Sequence, residues 1–450
     1  MSKILLLFLL TFFLIPDAFS QVTIQPDHSI KLLIEGISRD SLQSYIRTLV
    51  SFGTRHTLSS QTDPDHGIGA ARNWVLHKFQ QDALQSNGRM TARIDTWIQP
   101  ADHQRINRAV LMGNVIATIK GTDPNDDRIF IVSGHLDSRC SDIMDSTDAA
   151  PGANDDGSGV AAVLEMARLL SRFPLKATVV LVAVTGEEQG LFGSTHLAEE
   201  AKEEHWNIAD MINNDMIGNS VSSGTDKHDN TKVRVFSEGI PYVETAQEER
   251  LRKALAGEND SKSRELARYI KAIGDTYVDN LTVELIYRRD RFLRGGDHIP
   301  FQERGYIAVR LTDFYENYNH QHQDVRTENG VLYGDLPQFV DYEYLRKNTY
   351  LNLATIACLA NAPSSPEDIK ISISQLSNDT HIYWQPPKYG RAKGYYVLMR
   401  ETDASMWQKK FYTDSTEITL PFSRDNFFFA VQAVGDDGLM SVPVFPGIGR

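Results

Sequence analysis

The chain has 450 residues, with 46 Lys and Arg against 59 Asp and Glu and a formal net charge of −13. That acidic balance argues against nucleic acid as the main partner. Two cysteines, Cys140 and Cys358, exclude a disulfide framework and any Cys-rich zinc motif. A metal in this chain would have to be held by His and carboxylates.

At the N-terminus, Lys3 precedes the apolar block Ile4–Ile15 and the small-residue site Ala18-Phe19-Ser20. This pattern predicts a secretory signal over 1–20, with a mature chain from Gln21 that is exported to a periplasmic or extracellular setting. No later stretch is apolar enough to span a bilayer, so no stable membrane span is expected after cleavage. Leu42, Tyr45, Ile46, Leu49 and Val50 follow helical spacing, as do Ile68, Ala71, Val75 and Phe79. Strand runs follow at Thr91–Ile98, Asn114–Ile119 and Arg128–Ser133. A helix opens near Ser158, and Ala177–Val184 reads as a strand buried on both faces. Helices are expected near Pro241–Leu255, Ser261–Ile273 and Asp297–Arg304, then a strand Ile307–Leu311 and a last helix Val340–Leu359. The polar stretch Ser222–Thr231 reads as a surface loop. Alternating strands and helices predict an α/β domain over 21–362 with a mostly parallel central sheet.

At Pro363-Ser364-Ser365-Pro366 the character changes to a short stiff linker. Strand runs at Ile369–Ile373, Thr380–Trp384, Gly394–Arg400, Glu417–Leu420 and Asn426–Val434 predict an all-β sandwich over 363–450. Trp384, Tyr396 and the run FFFAVQAVGDDG resemble the fibronectin type III pattern.

Five segments concentrate His, Asp and Glu at the ends of strand runs: IFIVSGHLDS, PGANDDGSG, VTGEEQG, INNDMIGN and NYNHQHQD. In open α/β sheets the loops beyond the carboxyl ends of the strands converge on one crevice. Carboxylates gathered there raise each other's pKa, and a divalent cation relieves the repulsion. Two histidines with three carboxylates exceed one tetrahedral zinc and fit two zinc ions sharing a bridging carboxylate. Asp137, two residues beyond His135, is placed to hold the second N–H of that imidazole. Taken singly, each segment has a bland reading: a core histidine, a helix cap, a solvated Glu pair. Their occurrence together and in order is the signal.

The segments GHLDS, PGANDDGSG, VTGEEQGLFGS, NNDMIGN, GGDHIPF and HQHQD together resemble the co-catalytic zinc aminopeptidases of metallopeptidase family twenty-eight, in particular its bacterial secreted members. The similarity covers about Ser38 to Ala362. It implies a three-layer α/β/α sandwich of the phosphorylase/hydrolase-like kind and two Zn²⁺ ions. His135 would bind one zinc, Asp155 would bridge both, and Glu188 and Asp215 would be terminal ligands. His320, four residues before Asp324, would complete the second ion, with His322 as its rival. Asp156 looks like a helix-start acid, and Asp297 and His298 look like supports of the site. Glu187 would be the general base of a hydrolysis through a metal-bridging hydroxide, with Asp137 beside it in the catalytic machinery.

The implied substrates are peptides with a free N-terminus. Within the same fold the alternatives are a carboxypeptidase-like or glutaminyl cyclase-like enzyme; outside it, an inactive binding homologue. Arg288, Arg289, Arg291 and Arg294 offer either a substrate-carboxylate site or structural ion pairs, the latter favoured. A Cys140–Cys358 disulfide is open, as is surface or polysaccharide contact by the C-terminal domain.

Overall fold

The structure, a computed structural model, describes residues 26–102 and 104–449. The expected signal segment lies outside the described residues. Eight strands form one sheet: β1 (Met90–Gln99), β2 (Val110–Ile119), β3 (Ile129–His135), β4 (Thr178–Val184), β5 (Ile208–Asn214), β6 (Lys232–Ser237), β7 (Thr282–Ile286) and β8 (Ala308–Asp313). Their order is β1-β2-β4-β3-β5-β8-β6-β7. The pairings β3–β4, β3–β5, β5–β8 and β6–β7 are parallel. The pairings β1–β2, β2–β4 and β6–β8 are antiparallel.

The two-residue period of a strand sorts its side chains between two layers. Along β4, Val179, Leu181 and Ala183 join one apolar cluster, and Val180, Val182 and Val184 join another. The helices Arg39–Ser51, Gly67–Ala83, Gly157–Leu170, Lys262–Tyr277 and Tyr342–Asn361 cover the first face. Phe192–Glu203 and His298–Gln302 cover the second. Each fully buried Val or Leu contributes about 1.5–3 kcal/mol, so β4 is fixed in register from both sides. This holds its carboxyl end, where the two glutamates begin, in a set position.

Several elements carry no strong sequence signal. Phe192–Glu203 buries a narrow stripe of Gly193, Ser194, Leu197, Ala198 and Ala201 among charged residues. The hairpin Arg326–Glu328 and Val331–Tyr333 is nearly all exposed. Strands β6 and β7 lie toward the sheet edge and bury fewer side chains than β4.

Beyond Asn361 the described chain contains strands only. Glu417–Leu420, Thr380–Gln385, Glu367–Ser372 and Gly447–Gly449 form a four-stranded sheet. Lys409–Thr413, Gly394–Glu401 and Phe427–Val434 form a three-stranded one. Trp384 and Ile382 from the first meet Val397, Met399, Phe429 and Val431 from the second in one apolar cluster. This unit is fastened to helix Lys262–Tyr277 and to Asp260 just ahead of it. Arg400 forks onto Asp260 at 2.6 and 2.8 Å, Trp407 Nε1 donates to Glu265 at 2.9 Å, and Tyr269 O–H donates to the Met440 carbonyl at 2.9 Å.

The two cysteines are unpaired, which closes the disulfide alternative. Cys140 Sγ donates to the Asp142 carbonyl, and Cys358 is buried in the last helix beside Tyr277. No helix among the described residues is long and apolar enough to cross a membrane.

Candidate metal centre

The crevice lies at the carboxyl ends of β3, β4 and β5, as parallel topology requires. His135 ends β3 and Asp215 follows β5 directly. After β4, Gly186 takes φ +79°, a left-handed conformation that favours glycine. It turns the chain into the one-turn helix Glu187–Gly190, so strand alternation no longer separates the two glutamates. The Asp137 carboxylate accepts from the N–H groups of Glu187 at 3.2 Å and Glu188 at 3.0 Å. One buried acid thereby seats both.

This corrects the expectation for Asp137. Its carboxylate stands 3.9 Å from His135 Nδ1, whereas its backbone carbonyl accepts from that nitrogen at 3.0 Å. With Nδ1–H engaged, the His135 Nε2 lone pair faces Asp155 Oδ1 at 3.1 Å and Asp215 Oδ1 at 3.8 Å. Asp155 turns its other oxygen, Oδ2, to His322 Nε2 at 3.0 Å, and His322 Nε2 also meets Glu188 Oε1 at 3.0 Å. Two groups of donor atoms result: His135, Glu187 and Asp215; and Asp155, Glu188 and His322. Asp156 caps helix Gly157–Leu170 at the Gly159 N–H, and accepts from the His135 and Met216 N–H groups as well.

The structure places His322, not His320, in this crevice. His320 stacks flat on Phe339 with ring centroids 3.7 Å apart, and burial pushes its imidazole down to about 4. His322 has φ +54° and its turn is tied to the loop after β3. Asp324 accepts from the Ser141 N–H at 3.0 Å, and its own N–H donates to Ser141 Oγ at 3.1 Å. The acid used to choose between the two histidines therefore serves as the docking point that delivers His322.

Charge in the crevice is strongly perturbed. Burial lowers His135, but Asp155 and Asp215 outweigh it and hold the imidazole well above its usual range. Burial raises Asp215, yet Arg310 at 2.9 Å, His135 and Arg291 hold it down to about 2. Burial, reinforced by Asp215, Glu188 and Asp297, raises Glu187 well above the usual range against the pull of His135. Burial also pushes Asp297 up to about 7.

The arginine run after β7 is largely spent on ion pairs. Arg289 meets Glu303 at 3.2 Å, Arg291 meets Asp290 at 3.4 Å, and Arg294 meets Glu316 at 2.6 Å. His298 Nε2 contacts the Arg289 carbonyl at 2.8 Å, consistent with a supporting place. Periodicity does not find Arg55, Arg139 or Gln321, which surround the acids. Arg310 carries a signal, a lone cation within the buried run of β8.

One buried and one half-buried imidazole facing clustered carboxylates fit a divalent cation of the zinc kind: the donors are nitrogen and oxygen, and the acids need a positive charge among them. An α/β sheet with these donors at its strand ends defines a metal-dependent hydrolase. Residues 114–329 match the model of Peptidase family M28. A probable zinc metalloprotease of Leptosphaeria maculans is 42% identical over 422 residues, covering 94% of this chain and 97% of its own. A probable zinc metalloprotease of Pyrenophora tritici-repentis is 42% identical over 430 residues, covering 94% and 98%. Among solved structures, the LapA aminopeptidase of Legionella pneumophila shares the fold with TM-score 0.53 at 17% identity, over 74% of this chain and 75% of that one. The chain belongs to peptidase family M28 and is a zinc metalloprotease.

Proposed function

We propose that the protein is a di-zinc exopeptidase, an aminopeptidase that removes N-terminal residues from peptides. The observation that carries this reading is Asp155, whose two oxygens face two different histidines at 3.1 and 3.0 Å. A carboxylate so shared suits a bridge between two ions, with His135 and Asp215 on one side and Glu188 and His322 on the other. The aminopeptidase named among the fold relatives supports the reaction type. Zinc, when bound there, supplies the Lewis acidity that activates water and polarises the scissile carbonyl.

The chain's own residues do the rest. Glu187 is half-buried and shares a donor group with His135 and Asp215. It takes a proton from the attacking water and returns it to the departing amine. Asp137 holds Glu187 and Glu188 in place through their N–H groups. The acids of the crevice favour a substrate with a cationic free α-amine.

We further propose that the enzyme is exported, periplasmic or extracellular, on the strength of the apolar block after Lys3. The C-terminal sheets form a fibronectin type III-like accessory unit. The test is hydrolysis of aminoacyl-nitroanilides against N-blocked peptides, with zinc counted per chain. Cleavage of free but not blocked N-termini at two zinc ions per chain is expected. One zinc per chain, or equal cleavage of blocked peptides, overturns the reading.

A further inference from the structure

Arg55 is 1% exposed and, among the described residues, forms no salt bridge with a carboxylate. Four of its N–H donors go to main-chain carbonyls. Nε donates to Leu136 at 2.7 Å, Nη1 to Pro151 at 2.6 Å and Leu49 at 3.3 Å, and Nη2 to Gly152 at 2.8 Å. Leu136 directly follows His135, and Gly152 lies three residues before Asp155. The residue precedes the segment 114–329 that matches the family model.

We propose that Arg55 is a positioning residue that sets the spacing of His135 and Asp155 by clamping the end of β3 to the loop bearing Asp155. The proposal rests on the reading of those two residues as metal ligands. The guanidinium is a planar fork whose bond directions are fixed, so it holds four carbonyls at set angles as a lysine cannot. A second tie runs parallel to it. The Arg55 N–H donates to Ser138 Oγ at 3.2 Å, and Ser138 Oγ donates to the Ala150 carbonyl at 2.7 Å. The Ala150 N–H closes the loop onto the Gly53 carbonyl at 3.0 Å. Space for the clamp is reserved at Gly152: it has φ +52°, and a Cβ there would lie 2.8 Å from Arg55 Nη2 and 2.6 Å from the Asp155 carbonyl oxygen. Asp335, Asp137, Asp156 and Asp155 all act electrostatically on the guanidinium. A fixed cation beneath them offsets their mutual repulsion.

The test uses the full chain, with zinc affinity measured by competition against a chromogenic chelator and the melting temperature measured without zinc. Arg55→Lys keeps the charge and loses the fork. It is expected to bind zinc at least tenfold more weakly and, at saturating zinc, to lose kcat with KM within twofold. Ser138→Ala removes the parallel tie with little change in volume and is expected to weaken zinc binding about threefold. A lower melting temperature with wild-type zinc affinity and kcat makes Arg55 merely structural and overturns the proposal. If Arg55→Lys does not fold, wild-type zinc affinity in Ser138→Ala overturns it. Asp155→Asn separates the two levels. Wild-type zinc affinity in that variant refutes the ligand reading itself, whereas lost affinity there with none lost in Arg55→Lys refutes only the clamp.

Discussion

The two halves of the centre rest on different kinds of backbone. In one, His135 and Asp215 stand at the ends of neighbouring parallel strands whose side chains are packed from both faces. Its imidazole is 1% exposed, its Nδ1 is held by a main-chain carbonyl, and Asp215 is paired with buried Arg310. In the other, His322 stands on a turn at φ +54° and its side chain is 28% exposed. Arg139 Nη2 donates to His322 Nδ1 at 2.7 Å, and Arg139 Nε lies 3.2 Å from Glu188 Oε2. A donor on Nδ1 places the proton of a neutral imidazole on Nε2, facing the acids. The first half is thus preset for a metal. In the second, the Arg139 contact with Nδ1 opposes a cation on Nε2.

The sharpest test of this contrast is at the glutamate pair, where one turn serves both halves. Glu187→Gln is expected to lower kcat by about 10³-fold or more while zinc content is kept, because it removes the general base and leaves His135, Asp155, Glu188, Asp215 and His322 in place. Turnover assays with metal analysis on the same sample check this. Normal turnover would remove Glu187 from the mechanism.

The loop half is probed by the two histidines. His322→Ala is expected to lose one zinc per chain and about 10²-fold in kcat/KM. His320→Ala should keep both ions, since its ring stacks on Phe339 and belongs to neither donor group. The reverse pattern, read by metal analysis, would restore His320 as the ligand.

A control lies at the seam with the C-terminal unit, remote from either half. Asp210 is 4% exposed beside a cavity of about 300 Å³, and burial pushes its carboxyl up to about 8 against Arg128 and Lys262. The folded chain then holds a proton that the unfolded chain releases near pH 4. Stability contributed by this group falls as pH rises from about 4 to 8. Asp210→Asn is expected to flatten that slope and to stabilise the protein by roughly 2 kcal/mol or more at pH 8. Urea unfolding at pH 5 and pH 8 measures it, and an unchanged difference between the two refutes it.

The smallest expected effect is at the cation of the loop half. Arg139→Gln removes a charge that competes with the second ion. Zinc at that position should bind severalfold more tightly, about 1 kcal/mol, while the His135 half is unmoved. Stepwise zinc titration resolves the two, and equal change in both steps would erase the distinction between the halves.

Much of the fold was legible because its strands are apolar and its helices periodic. The run Ala177–Val184 announced a strand buried on both faces, and β4 is that strand. Among the elements that escaped, Phe192–Glu203, the hairpin 326–333 and strands β6 and β7 bury fewer side chains than β4 and leave a weaker pattern. In the centre, His135, Asp155, Glu187, Glu188 and Asp215 were legible because each lies at or just beyond a strand or at a helix start. His322 was legible only as a rival, because two histidines one residue apart in a loop have no periodicity to separate them.

The sequence by itself determined the α/β layering and the acid- and histidine-bearing strand ends, because hydropathy and backbone period are local properties of the chain. Tertiary structure alone decided that His322 rather than His320 enters the crevice, that the Asp137 carboxylate seats two glutamates rather than one histidine, and that Arg55 joins β3 to the Asp155 loop. Each of those outcomes depends on contacts between segments tens to hundreds of residues apart, set by how loops meet across the sheet.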